Sequence, residues 1–171
     1  MNPGMSANAD AGTMNPVAAC SANLRDGTVR KRREAAVALG KSGSFSAIPA
    51  LGAALADPHP GVRSDVVQAL GRIGDSAAVP YLLSAISDPE ADIRAGAIAA
   101  LGKIRDPCSA GALISCLTDR DDRVRIGAAE VLGKLGDESA LAPLTSLLQD
   151  PFTDVRDAAS ASLRKIRKST R

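Results

Sequence analysis

Arginines that recur every 31 positions are the residues whose chemistry stands out first. Each follows an aspartate by six residues, as Arg63 follows Asp57 and Arg94 follows Asp88. A guanidinium binds a carboxylate through two short, directional hydrogen bonds. The column could therefore be an anion-binding track, but the spacing favours a structural ladder in which Asp and Arg pair within and between units. The predicted ladder consists of Asp57, Arg63, Asp88, Arg94, Asp119, Arg125, Asp150 and Arg156, with Arg32 in register.

A second basic column has the same period. It consists of Lys41, Arg72, Lys103, Lys134 and Lys165. Two interpretations remain open for it. Cations near the C-terminus of a helix oppose the helix macrodipole, which is worth about 0.3–1 kcal/mol each. Alternatively, the same residues form a basic stripe along a binding groove.

Few residues in this sequence could catalyse a reaction or bind a metal. The single histidine, His59, stands between two prolines and is predicted to be a solvated turn residue. The three cysteines lack the spacing of a metal site or a disulfide framework. We expect Cys20 and Cys116 to be small core or near-core residues and Cys108 to face solvent. The sequence therefore predicts no catalytic residues, no metal ligands and no cofactor.

Composition limits the kinds of fold and partner. Apolar residues make up 45% of the 171 residues but aromatic residues only 2%, so the core must be built from Ala, Leu, Ile and Val, which suits closely packed helices. The formal net charge of +2 gives no whole-molecule field that favours nucleic acid. No apolar run approaches the roughly 20 residues that span a bilayer. Residues 1–13 lack the features of a signal peptide, so we expect a disordered N-terminal tail and a cytoplasmic protein.

The spacing of 31 extends along the chain and divides it into repeats. Its anchors are Asp26, Asp57, Asp88, Asp119 and Asp150, together with Leu39, Leu70, Leu101, Leu132 and Leu163. They define a repeat array over 14–168 with units 14–43, 44–74, 75–105, 106–136 and 137–168, followed by a short tail, 169–171. Each unit should hold two amphipathic helices, and in the third unit the second helix is predicted over 91–104.

Glycines have two predicted roles in the second helices. Gly43, Gly74 and Gly136 should end them in the left-handed conformation. Arg105 and Arg167 stand at the matching positions, so those two helices are expected to end differently. Gly40, Gly71, Gly102 and Gly133 lie inside the helices, and the recurrent Ala38, Ala69 and Ala100 lie close by; we expect both sets to allow close approach of the next unit.

Polar residues mark the last unit as an end. Ser160, Ser162 and Arg164 replace small or apolar residues of the other units. Because no sixth unit would cover them, these residues are expected to face water, as terminal repeats require.

The unit resembles the short HEAT-like repeat of the phycobilin lyase type. The resemblance is carried by Asp57, Pro58, Val62, Arg63, Leu70, Gly71, Ile73 and Gly74, and by their counterparts in the following units. It implies an all-α fold, a right-handed α-α superhelix of five two-helix repeats, in which the second helices line the concave face. The metal-binding His-Glu pairs of some HEAT-like enzymes are absent.

The sequence therefore predicts a non-catalytic scaffold that binds another protein or a peptide on its concave face. The predicted partner-binding residues are Lys41, Gln68, Arg72, Ala95, Ala99, Lys103, Ile126, Glu130, Lys134 and Lys165. A phycobilin lyase-like chromophore-transfer subunit is the alternative that the resemblance permits. Nucleic-acid binding in a basic groove is less favoured, because acidic turns balance the cations and aromatic residues for base stacking are scarce. We expect a monomer that does not bind membranes.

Overall fold

The computed structural model describes residues 15–169, and the predicted tail over 1–13 lies outside this range. The described chain folds into ten α-helices and contains no strand. The helices are α1 (Pro16–Asp26), α2 (Val29–Ser42), α3 (Ile48–Ala53), α4 (Pro60–Ile73), α5 (Val79–Ala85), α6 (Ala91–Ile104), α7 (Ala110–Cys116), α8 (Asp122–Leu135), α9 (Leu141–Ser146) and α10 (Thr153–Ser169).

Each unit pairs one first helix (α1, α3, α5, α7 or α9) with one longer second helix (α2, α4, α6, α8 or α10). In the third unit, Asp75 accepts a hydrogen bond from the backbone N–H of Ala77 at 2.8 Å and so starts the 3₁₀ turn that leads into α5. The helix α5 then spans Val79–Ala85. The second helix α6 spans the predicted 91–104.

The second helices pack against one another in chain order, from α2 through α4, α6 and α8 to α10, and each first helix packs against its own unit. The predicted all-α right-handed solenoid of two-helix repeats is therefore confirmed. One continuous apolar core runs along the array. The anchor leucines lie at its centre, since Leu39, Leu70, Leu101, Leu132 and Leu163 are all buried.

The glycines inside the second helices mark the closest approach of neighbouring units. A Cβ added at Gly40 would lie 2.7 Å from the Cα of Ala69, and one at Gly133 would lie 2.7 Å from the Cβ of Ser162. Gly71 meets Ala100 and Gly102 meets Val131 in the same way. The expected role of these glycines is thus confirmed, and it explains why four helices tolerate a residue that costs about 0.5–1 kcal/mol in a helix interior.

The expectation that Arg105 ends its helix differently is wrong. Arg105 adopts the left-handed conformation, with φ of 58°, and is the one non-glycine residue at positive φ in the range 15–169. Its backbone N–H donates to the carbonyl of Leu101, as that of Gly74 does to Leu70. The packing of consecutive units fixes the chain path out of the second helix, so the arginine adopts the backbone conformation that glycine has elsewhere. At Arg167, by contrast, α10 continues to Ser169.

The expectation that the polar residues of the last unit face water is right for Ser160 and Arg164 and wrong for Ser162. Ser160 is partly exposed and Arg164 is exposed. Ser162, however, is only 1% exposed, because its position faces the preceding unit and packs on Gly133. Its hydroxyl oxygen makes no hydrogen bond with any described residue. Ala38 occupies the equivalent position in the first unit. It is exposed, since no described unit precedes it.

Candidate partner-binding face

The aspartates and arginines of the ladder pair between units. Arg63 donates from Nε to Asp88 Oδ2 at 2.7 Å and from Nη2 to Asp88 Oδ1 at 3.0 Å, across 25 residues. Three further bidentate pairs repeat this geometry: Arg32 with Asp57, Arg94 with Asp119, and Arg125 with Asp150. Each ladder pair therefore joins two neighbouring repeats.

Within its own unit each ladder arginine binds backbone, not a carboxylate. Arg63 Nη1 donates to the carbonyl of Asp57 at 2.9 Å, which ties the start of α4 to the preceding turn. At the end of the array, Arg156 keeps this backbone bond, to Asp150 at 2.7 Å, and adds one to Thr153 Oγ1. The predicted pairing within units is thus replaced by side chain-to-backbone bonds, since the Asp carboxylate points to the previous unit's arginine.

The ladder pairs are largely removed from water. In the Arg63–Asp88 pair the side chains are 12% and 8% exposed. Burial acts to raise the pKa of Asp88, but hydrogen bonds from Arg63 and from the Glu90 backbone, with the nearby arginine charges, lower that pKa below its usual value. The pKa values of Asp57, Asp119 and Asp150 are lowered as well. The ladder guanidiniums that pair with Asp are therefore engaged in the fold and not free for a ligand.

The second basic column differs in being exposed. Lys41, Arg72, Lys103, Lys134 and Lys165 all point to solvent, and among residues 15–169 none of them forms an ion pair. The first four lie in the last turn of their helices. Lys165 lies outside the last turn of α10, because that helix extends to Ser169. The macrodipole effect falls off within one turn, so it accounts for four members of the column and not for the fifth.

We call the exposed side of α2, α4, α6, α8 and α10 the second-helix face. All ten predicted partner-binding residues lie on it: Ala95 and Ile126 are half-buried, and the other eight are exposed. A cavity of about 230 Å³ between α4 and α6 brings together Gln68, Arg72, Ala99 and Lys103. Its lining also includes the small residues Gly71, Gly96 and Ala100. Lys41 borders a larger cavity of about 760 Å³, lined by residues of α2 and by His59 and Asp65 of the second unit.

Two ion pairs on this face were missed by sequence reasoning. Arg33 donates to Asp65 at 2.7 Å, and Arg123 donates to Asp92 at 2.7 Å, each linking adjacent second helices. The feature of the sequence that could have predicted these ion pairs is the presence of opposite charges about one repeat apart. These pairs lie nearer the N-terminal ends of the helices. The cations of the second basic column, which form no ion pair among residues 15–169, lie nearer the C-terminal ends.

A third cavity, of about 730 Å³, lies between the fourth and fifth units and was not predicted. Phe152 borders it with 53% of its surface exposed. Arg125 stacks over this ring at 5.7 Å from the centroid. Because Arg125 also binds Asp150, the aromatic ring covers the last rung of the ladder.

The single histidine and the three cysteines are the remaining candidates for chemistry. His59 Nδ1 accepts the N–H of Gly61 at 3.1 Å in an exposed turn. Burial, with a smaller contribution from Asp119, raises the pKa of Cys116 to about 11, so this thiol is protonated at neutral pH. Cys20 is half-buried and Cys108 exposed. In the described part of the chain, no three His, Cys, Asp or Glu side chains converge as a metal site would need, and no helix has the length and apolarity to cross a membrane.

Comparisons with solved structures place this architecture among helical solenoids. A chain in the complex of CpcE and CpcF of phycocyanin lyase from Nostoc sp. PCC7120 is 25% identical, with a TM-score of 0.76 over 98% of this chain and 71% of that one. A computationally designed armadillo repeat protein for modular peptide recognition is 19% identical, with a TM-score of 0.63 over 86% of this chain and 80% of that one.

A designed armadillo repeat protein in complex with the peptide (KR)4 is 18% identical, with a TM-score of 0.65 over 86% of this chain and 80% of that one. Comparison with the curated proteins gives no match. The family model described as HEAT repeats matches residues 18–98 and 79–164. These matches span most of the array, and the chain therefore belongs to the HEAT-repeat family.

Proposed function

We propose that this protein is a non-catalytic scaffold that binds another protein or a peptide on the second-helix face, the concave side of the solenoid. The observation that carries this proposal is the column of five exposed cations that form no ion pair within residues 15–169. The proposed binding residues are Lys41, Gln68, Arg72, Ala95, Ala99, Lys103, Ile126, Glu130, Lys134 and Lys165.

The contrast between the two basic columns supports this assignment. Four ladder arginines are followed by another unit. Each of these forms two hydrogen bonds to an aspartate of that unit and is shielded from water. The fold therefore uses one basic residue per repeat for cohesion and keeps a second one exposed. A cation that only stabilised its own helix would contribute about 0.3–1 kcal/mol, and Lys165 lies outside the turn where that effect acts.

The floor beside the column suits a peptide backbone. Ala99 is exposed, and Ala95 and Ile126 are half-buried. Small side chains let a bound segment approach closely, and the apolar surface gains from its burial. A polar rim around a weakly apolar floor is a common arrangement for peptide recognition.

Photo-crosslinking in native lysate tests the proposal directly. A photoreactive phenylalanine analogue is placed at Ala99 on the second-helix face or, as a matched control, at the exposed Ala142 on α9. We expect a discrete partner crosslinked from position 99 and not from 142. Adding Arg72→Glu, Lys103→Glu and Lys134→Glu should remove that product. Crosslinks of equal yield from both positions, or a product unaffected by charge reversal, would contradict the proposal.

A chromophore-transfer subunit like those of phycobilin lyases is the second candidate. It is favoured by the TM-score of 0.76 with a chain of the CpcE–CpcF complex. This function predicts that the purified protein, with its partner subunit, changes the visible absorption spectrum of an added bilin. A spectrum equal to the sum of the separate components would speak against it.

Nucleic-acid binding is the least supported of the three functions. Glu130 lies on the second-helix face among the cations, and Arg33 and Arg123 are already paired with aspartates. Binding to a nucleic acid would decrease steeply with added salt, which a filter-binding titration measures.

A monomeric state and a cytoplasmic location, as expected from the sequence, complete the proposal.

A further inference from the structure

We infer that the partner presents an acidic, extended segment with carboxylates three residues apart, which lies across the second helices and places one carboxylate on each cation. This inference rests on the proposed function and adds the chemistry of the partner. It comes from the basic column of Lys41, Arg72, Lys103, Lys134 and Lys165, whose cations are exposed and unpaired among the described residues.

The spacing of the helices sets the period of the ligand. Packed helices have axes roughly 8–10 Å apart, and the close contacts of Gly40 with Ala69 and Gly71 with Ala100 exclude a wide separation here. A polyproline II segment rises about 3.1 Å per residue with three residues per turn. Every third side chain therefore points to the same side, about 9 Å from the previous one. A strand, whose side chains repeat every two residues or about 6.7 Å, does not match this spacing.

The charges near the column leave it positive. The C-terminus of a helix carries roughly half a negative charge, less than the full charge of each cation. Three aspartates follow the column, and each caps the next 3₁₀ turn: Asp75 binds the N–H of Ala77, Asp106 that of Cys108 and Asp137 that of Ser139, at 2.8–2.9 Å. None of the three forms an ion pair with the column.

The middle of the column should contribute most. The cavity of about 230 Å³ is lined by Arg72, Ala99 and Lys103, so it can take a small apolar side chain between two bound carboxylates. Glu130 precedes Lys134 by one turn on the same face and repels a carboxylate there. The segment thus combines acidic residues with small or proline residues between them.

Fluorescence anisotropy with two labelled synthetic peptides tests the period. The first is (Glu-Ala-Pro)5; the second has the same composition and length, with its five glutamates contiguous. We expect the periodic peptide to bind about tenfold more tightly. The triple variant Arg72→Gln, Lys103→Gln and Lys134→Gln should weaken its binding by about tenfold, which corresponds to three exposed ion pairs.

The matched control removes the same charge elsewhere. Arg25, Lys31 and Arg120 are exposed and lie off the column, so changing each of them to Gln should leave peptide affinity unchanged. Equal affinity for the two peptides, or an equal loss in both triple variants, would show attraction by net charge alone and overturn the inference. Tighter column-dependent binding of a single-stranded DNA oligonucleotide would overturn it in favour of nucleic acid.

The crosslinking experiment separates this inference from the proposed function. If the partner still crosslinks at position 99 while the two peptides bind alike, the scaffold function holds and only the acidic three-residue period is wrong. If no partner crosslinks there, the proposed binding face itself is wrong, whichever peptide binds.

Discussion

At the scale of single residues, Arg105 shows how the repeat imposes a conformation on a residue that disfavours it. Its φ of 58° matches the 64°, 71° and 75° of Gly43, Gly74 and Gly136. A side chain at such a position costs roughly 1–2 kcal/mol, because Cβ approaches the following carbonyl oxygen. The bond from its N–H to Leu101 still forms, at 2.8 Å. The strain is therefore local and removable without changing the chain path.

Replacing Arg105 by glycine should stabilise the protein. We expect the free energy of unfolding of Arg105→Gly to rise by about 1 kcal/mol, measured by urea denaturation followed by circular dichroism. The matched change, Gly74→Arg, places the same side chain at φ of 71° and should lower the free energy by a similar amount. A loss of stability in Arg105→Gly would show that the arginine side chain makes a compensating contact.

At the scale of elements, α4, α6 and α8 each present a glycine to the following second helix and Ala69, Ala100 or Val131 to the preceding one. The glycine cannot be enlarged, because an added Cβ at Gly71 would lie 2.7 Å from the Cβ of Ala100. Gly111 in the first helix α7 is different, because a Cβ added there meets no atom within 4 Å. Helix propensity thus favours alanine over glycine at both positions, whereas interhelical packing opposes it only at Gly71.

This opposition predicts opposite effects of the same substitution. Gly40→Ala should destabilise the protein by about 1–3 kcal/mol through overpacking, because the new Cβ would lie 2.7 Å from the Cα of Ala69 and the backbone must move. Gly111→Ala should instead stabilise by about 0.4–1 kcal/mol. Thermal and urea denaturation of both variants measure the difference. Stabilisation by Gly40→Ala would mean that α2 and α4 are less closely packed than described.

At the scale of the whole molecule, the ladder links the five units in series. Four bidentate pairs cross the four unit boundaries, and all lie among buried or half-buried residues. In a repeat array, stability is approximately the sum of unit and neighbour-interface contributions. The same interaction at every boundary therefore couples the stability of the entire array to one chemical group, the aspartate carboxylate.

This coupling predicts acid sensitivity. The folded-state pKa values of Asp57, Asp88, Asp119 and Asp150 lie below their usual value, so their stabilisation is complete above the unfolded value of about 3.9. The free energy of unfolding should stay constant from neutral pH to about pH 5. It should then decrease as the pH falls through the folded pKa values, because the unfolded chain binds protons first. Urea denaturation across this range measures it.

Two variants identify the ladder as the cause. Asp88→Asn should lose about 3 kcal/mol at neutral pH, since it leaves Arg63 half-buried without a charge partner, and should lose less on acidification than the original protein. Asp154→Asn, at an exposed residue outside the ladder, should keep the original stability at neutral pH. An equal acid response in Asp88→Asn would contradict this account.

The features that could be predicted from the sequence are those that every unit requires. The period, the paired helices, the buried leucines and the close-packed glycines follow from spacing alone, because each unit needs the same residue types at the same interface. The column of five cations was visible for the same reason. Its alternative interpretation, as compensation for helix dipoles, could not be tested without knowing that α10 extends beyond Lys165.

What required the tertiary structure is the direction in which each residue faces. The sequence by itself determined a two-helix repeat array with an aspartate in each turn and an arginine six residues later. Only packing decided that Arg63 reaches Asp88 of the next unit, that Ser162 faces backward onto Gly133, and that Arg105 adopts the left-handed conformation. Spacing fixes which positions are equivalent, whereas the relative placement of neighbouring units fixes what each equivalent position contacts.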